Sequence, residues 1–141
     1  MTTTTLINVD AKHNHNKFYR LTQRPDGTVL AEYGRIGTQG QSAVYASPRF
    51  FTEKLQEKAR KGYQEVRLDA ETISSALWLL DRMRESMYAH GRVIDQSLKE
   101  RYMVLFPQKT RQVIEDSWLT PYWFAAQWRM VEGLKQLLVD D

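Results

Sequence analysis

Hydrophobic and polar positions alternate with a period of two through the first half of the chain and recur with a helical period through the second. Thr5–Val9 is a short β-branched run, and Lys17–Gln23 alternates as a half-buried strand does. The polar stretch His13–Asn16 between them reads as a turn. Pro25-Asp26-Gly27 marks a tighter one, because proline presets φ, aspartate bonds locally and glycine accepts positive φ. Thr28–Tyr33 returns as the second arm of that hairpin, and Gln41–Ala46 is a further strand. Ser47 and Pro48 open a helix, the serine as cap and the proline where a missing N–H costs nothing. Within it Phe51, Leu55 and Ala59 share one face, and Lys54, Lys58 and Lys61 share a neighbouring face. Gly62 suits the residue that ends a helix, and Tyr63–Arg67 reads as a last strand.

Beyond this point the period becomes helical. Asp69 caps a helix whose Ile73, Ala76, Leu77, Leu80, Met83 and Met87 form an apolar stripe, with His90 at its end and Gly91 as its breaker. Residues 95–106 and 108–116 read as two shorter helical pieces around Pro107. Thr120-Pro121 repeats the cap-then-proline start, and the final helix is expected to carry Phe124, Trp128, Val131, Leu134 and Leu138 inward. The four threonines at residues 2–5 read as a frayed tail. The expected fold class is α+β: residues 1–68 form an antiparallel sheet with one packed helix, and residues 69–141 form a C-terminal helical region.

Composition narrows the function classes. The chain has no cysteine, which excludes disulfides, cysteine nucleophiles and thiolate metal sites. No basic start with an apolar core precedes the first strand, and no apolar run is long enough to span a bilayer, so a soluble cytoplasmic protein without membrane contact is expected. The net charge of +3 is unevenly placed. Residues 1–69 hold 11 Lys+Arg against 7 Asp+Glu, whereas residues 70–141 hold 9 against 10. A basic front half beside a near-neutral back half suits a polyanion-binding module joined to a structural or partner-binding one, although ordinary charge scatter would look similar.

The most informative stretch is Tyr33-Gly-Arg-Ile-Gly-Thr-Gln-Gly-Gln41. Three glycines bend the backbone sharply and leave its N–H groups uncovered, so phosphate can come close. Arg35 offers a fork that matches phosphate oxygens, and Tyr33 a flat ring for a sugar or base. Read on its residues alone, the stretch is more simply a glycine-rich hairpin turn with a solvated arginine. It is neither a Walker loop nor a dinucleotide fingerprint.

Order and spacing make residues Thr5 to Arg67 resemble the WGR domain, which occurs in poly(ADP-ribose) polymerases and in small bacterial, phage and plasmid proteins. Asn16-Lys17-Phe18-Tyr19 is similar to that family's opening strand, and Tyr33–Gln41 to its Trp-Gly-Arg-Val/Ile-Gly-x-x-Gly-Gln signature. The helix over 48–61 with Lys61-Gly62-Tyr63 is similar to its closing helix and strand entry. The resemblance implies a sheet crossed by one helix, and DNA bound near strand ends or junctions. On this chain the aromatic and guanidinium roles would fall to Tyr33 and Arg35, flanked by Asn16, Lys17, Gly34, Thr38, Gln39 and Gln41. Tyr33 stands where the family has tryptophan, which keeps a flat face but loses area and the indole N–H; Thr22 stands where many members have glutamine.

Other features carry a functional and an ordinary reading. Lys54, Lys58 and Lys61 form either a phosphate-tracking ridge or a solvated face helped by Glu53 and Glu57. His13 and His15 lack a third ligand type at metal spacing, so they read as loop residues, and neither metal nor cofactor is expected. Trp118, Tyr122, Trp123, Phe124 and Trp128 are either core or, through the three tryptophans and Tyr122, a protein-binding or dimerisation surface. Base stacking fits that cluster less well, because only Arg129 interleaves with it. No nucleophile elbow or zinc-protease motif is present, and Glu115 and Asp116 are adjacent and so point apart on a helix. The chain is therefore expected not to be an enzyme. Two functions stay open: a DNA-binding accessory protein whose helical half packs or recruits a partner, and an adaptor or inhibitor that grips a protein.

Overall fold

The computed structural model describes residues 2–89, 94–109 and 112–138. Strand β1 (Thr2–Asp10), β2 (His15–Gln23), β3 (Val29–Arg35) and β4 (Gln41–Tyr45) form consecutive hairpins, and β5 (Gln64–Val66) closes the far edge. All pairs are antiparallel, in the order β4-β3-β2-β1-β5. The turn after β2 follows the chemistry of its residues: Asp26 accepts hydrogen bonds from the Thr28 amide at 2.9 Å and the Thr28 hydroxyl at 2.6 Å. The threonine run is not a frayed tail. Thr2–Thr5 pair with Gln23–Arg20 of β2, and Thr5 also pairs with Val66 of β5, so this backbone is tied into the sheet.

Because side chains alternate across the sheet, register decides which residues share a face. Leu6, Tyr19, Leu21, Val29 and Ala31 form a small cluster on one face, where helix α1 (Arg49–Arg60) lays Phe51 and Leu55 against it. Ala59 is exposed, so the inward face of α1 is shorter than its apolar spacing implied. The α1 cap also sits one residue later than expected: Pro48 is the N-cap, and the Ser47 hydroxyl accepts from the Arg49 amide at 3.3 Å.

The opposite face carries Ile7, Val9, Phe18 and Ile36 into a larger cluster built with α2 (Ala70–Ala89), α3 (Gln96–Leu105) and α4 (Pro121–Leu134). This buried cluster thus holds residues from both sides of residue 68. Asp69 caps α2 through the Thr72 amide at 2.7 Å, and Thr120 caps α4 through the Trp123 amide at 3.2 Å. Its buried stripe includes Leu79 besides the expected positions, while Leu77 is only partly buried. The reading of His90 and Gly91 lies outside the described residues.

Two expectations for the back half need correction. Among the described residues of 108–116 no α-helix forms: Gln108 bridges to Val9 of β1, residues 112–115 are irregular, and a 3-10 turn spans Asp116–Trp118. Gln108 is 2% exposed; its side-chain oxygen takes the Ala11 amide at 3.0 Å, and its carbonyl takes Gln64 Nε2 at 2.7 Å. Sheet pairing and buried hydrogen bonds outweigh local helix propensity there. On α4 Phe124, Val131 and Leu134 point inward as expected and Leu138 beyond it is partly buried, but Trp128 does not point inward. Trp123, Phe124, Gln127, Met130, Val131 and Leu134 are buried, whereas Trp128 is 40% exposed. Gln127 turns inward because the Tyr102 hydroxyl donates to its Oε1 at 2.7 Å, which satisfies two groups that would otherwise be costly to bury.

Candidate nucleic-acid interface

The α1 face of the sheet is apolar under the helix and becomes cationic beyond it. Register sets Lys17 opposite Arg35 and Tyr19 opposite Tyr33, so two cations and two rings sit side by side on neighbouring strands. Together with His15, Lys58 and Tyr63 they line a groove of about 510 Å³, and none of its lining residues is acidic. The Tyr19 and Tyr33 rings stack at 5.6 Å between centroids, and Tyr63 meets Tyr19 edge-on at 6.3 Å. Lys58 reaches over from α1, placing its ammonium 4.6 Å from the Tyr19 centroid and 5.6 Å from that of Tyr63.

Among the described residues, no ion pair joins Lys17, Arg35 or Lys58 to an acid. Burial pulls the Lys58 ammonium below its ordinary value, and the like charges of Lys61, Lys54 and Lys17 add to this against the opposing charge of Glu57. Burial also pushes the Tyr19 and Tyr63 hydroxyls upward, so both stay neutral near pH 7. An arriving anion would therefore meet exposed guanidinium and ammonium groups, and its charge would offset the cost of holding Lys58 partly desolvated.

The glycine-rich turn holds Arg35 in place. Gly40 sits at φ +72°, and a Cβ there would collide with the Tyr33 carbonyl. Thr38 closes the bend: its amide and its hydroxyl both donate to the Arg35 carbonyl, at 3.0 and 2.6 Å. On the outer side the turn rests on α4, where Gly37 and Gly133 come into backbone contact.

The structure brings together only some of the residues singled out from sequence. Lys17, Tyr33, Gly34, Arg35 and Lys58 line the groove. Asn16 lines it as well, but its side chain is 94% enclosed and donates to Asn14 at 3.0 Å, so it does not offer an exposed amide. Thr38, Gln39 and Gln41 are exposed outside the groove, with the Thr38 hydroxyl spent on the turn. The lysine ridge is broken up. Lys54 and Lys61 both donate to Glu57, at 3.0 and 3.1 Å, and these bonds hold the Glu57 carboxyl down to about 2. His15, Tyr19 and Tyr63 are the groove residues that motif reading passed over; the alternation that pairs Lys17 with Tyr19 on one face was the available signal.

Of the residues assigned to a partner surface, Trp123 is removed, because it is 4% exposed and packs edge-on against Phe124. Trp118 is half-buried, while Tyr122 and Trp128 are exposed. Among the described residues there is no group of three or more His, Cys, Asp or Glu placed to hold a metal, and no helix is long and apolar enough to cross a membrane.

A twisted antiparallel sheet crossed by one helix, with a cationic and aromatic groove at the open end, defines a small α+β binding module. Residues 2–70, just under half of the chain, match the family model of the WGR domain. That match supports a nucleic-acid-binding role. A crystal structure of a Bacteroides fragilis protein is 28% identical to this chain with a TM-score of 0.41; the match covers 47% of this chain and 20% of that one, so this chain spans about a fifth of its length. No curated protein matches the chain.

Proposed function

We propose that the chain is a DNA-binding accessory protein that acts by binding rather than catalysis. The groove takes a strand backbone near its end. Lys17 and Arg35 meet phosphate, Lys58 supplies a third cation, and Tyr33 offers its face to a terminal sugar or base. The observation that supports this most is the cross-strand pair Lys17–Arg35 beside stacked tyrosines, in a groove without an acidic residue. Three phosphate-facing cations would give log K against log salt a slope of about −2 to −3.

The test is fluorescence anisotropy with short duplexes bearing blunt, recessed and 5′-phosphorylated ends, titrated across salt. Arg35→Ala is expected to weaken binding about tenfold and to flatten the salt slope by about one. Arg35 is exposed and its removal empties no core space, so the variant stays folded. Unchanged affinity in that folded variant would remove the assigned site.

A second reading has one observation in its favour. Tyr88, Trp128, Pro121 and Arg129 line a cleft of about 560 Å³ between α2 and α4, a shape suited to a protein partner or a second copy of this chain. Wild-type protein that binds none of the duplexes at low salt would favour it.

A further inference from the structure

The aromatic cluster of the back half looked poorly suited to bases because few cations interleave with it in sequence. Folding supplies them. The β1–β2 hairpin turn carries Lys12 and His13 to the start of α4, where the Lys12 ammonium lies 6.0 Å from the centre of the Trp118 ring. Lys12, His13, Trp118 and Tyr122 line a cleft of about 190 Å³ that contains no acidic residue. Tyr122 is 68% exposed, so its face is open at the rim. Of the acids close by in sequence, Asp10 bonds to His13 at 3.0 Å and Asp116 to Lys99 at 2.8 Å.

This cleft lies on the helical side of the sheet and the Lys17–Arg35 groove on the α1 side, with only the hairpin turn between them. His13 lines one and His15 the other, and their rings are 6.2 Å apart. We infer that the Lys12–Trp118–Tyr122 cleft is a second nucleotide subsite, which takes unpaired bases of a single strand that leaves the groove and passes around the hairpin turn. The occupant follows from the chemistry and the path. One exposed ring, Tyr122, and one half-buried ring, Trp118, beside an ammonium suit a base with its phosphate. A duplex is stiff over about 150 base pairs and cannot follow so tight a corner, whereas a single strand can. The helical region is then part of the nucleic-acid interface. This inference rests on the groove reading and extends it.

The experiment uses the full chain with labelled deoxythymidylate oligomers of about 4 and about 12 nucleotides, which bracket common single-strand site sizes. The longer oligomer is expected to bind more tightly than length alone explains. Tyr122→Ala should weaken it about tenfold, the usual worth of one stacked base, and Lys12→Ala severalfold. Arg35→Ala should weaken both oligomers. Binding of the longer oligomer should quench tryptophan emission in the wild type, and Trp118→Phe, which keeps a stacking ring, should remove that quench. Circular dichroism confirms that each variant is folded. If Tyr122→Ala and Lys12→Ala bind the longer oligomer like wild type while Arg35→Ala does not, the subsite is overturned and the groove stands. If wild type binds neither oligomer, or Arg35→Ala has no effect, both fall.

Discussion

Replacing Gly133 by alanine sets two effects against each other. In an ordinary helix the change stabilises by about 1 kcal/mol, because alanine has less backbone freedom to lose. Gly133 lies in the helical run that ends at Leu137, but its missing side chain is occupied space. A Cβ there would lie 2.8 Å from the Gly37 Cα, 3.0 Å from the Gly37 nitrogen and 3.4 Å from Ile36 Cγ2. Carbon atoms pack comfortably at about 3.5–4.0 Å, so helix and loop must part by roughly 1 Å. The obstacle is backbone and cannot rotate away. Gly37 is itself held at φ +93° in a turn closed by Thr38 on the Arg35 carbonyl. Overpacking of about 3 kcal/mol, the upper end of the usual range, is the appropriate figure. After the propensity gain, Gly133→Ala should be less stable by about 2 kcal/mol, a drop in Tm of about 8 °C for a chain of this size. Thermal and urea unfolding followed by circular dichroism measure it. Gly133→Val, with a larger side chain and a smaller propensity gain, should fall further. An alanine variant more stable than wild type would refute the claim that α4 braces the signature turn through backbone contact.

Two further outcomes follow from buried polar groups. Gln108→Ala removes the acceptor of the Ala11 amide inside the protein, and should cost about 1–3 kcal/mol in urea unfolding and speed hydrogen exchange at Ala11. Lys99 is enclosed and bonds to Asp116, whose carboxyl that bond holds below its ordinary value of 3.8. Such a depressed group contributes stability that is present above the unfolded value and lost as pH falls through the folded one. Asp116→Asn should therefore be less stable than wild type by about 1 kcal/mol at pH 7, discounted because the carboxylate is half exposed. The difference should shrink as pH drops below about 4. A gap that stays constant down to pH 2 would rule out the ion pair as its source.

What could be read from the sequence was what depends on neighbours along the chain. The Pro25-Asp26-Gly27 turn, the Asp69 and Thr120 caps and the Tyr33–Gln41 bend are made by residues within a few positions of one another, and they form where expected. Lys17, Tyr33 and Arg35 were visible for the same reason. Features set by distant partners were not. Residues 108–116 have helical composition, but Gln108 finds β1; Thr2–Thr5 look like a loose tail, but find partners in β2, and Thr5 also in β5. On α4 the inward turn of Gln127 was not legible, because a glutamine reads as polar until Tyr102 is known to face it. Counting lysines on α1 could not show that Glu57 occupies two of them and leaves Lys58 to the groove.

The same asymmetry explains why the back half looked like a separate unit. Its local signals are all helical, so nothing near residue 68 announces a shared core. Ile7, Val9 and Phe18 nevertheless depend on it: each is at most 2% exposed, and each packs in the cluster that includes Leu80, Met83 and Val131. The helices are the second wall of the sheet. This wall also touches two loops of the sheet, through the Gly37–Gly133 contact beneath the arginine turn and the Lys12–Trp118 contact at the hairpin turn. A helical region needed only to cover apolar strands would require neither contact. That both fall beside cationic, exposed loops is what ties the packing of this half to the binding proposed for the other.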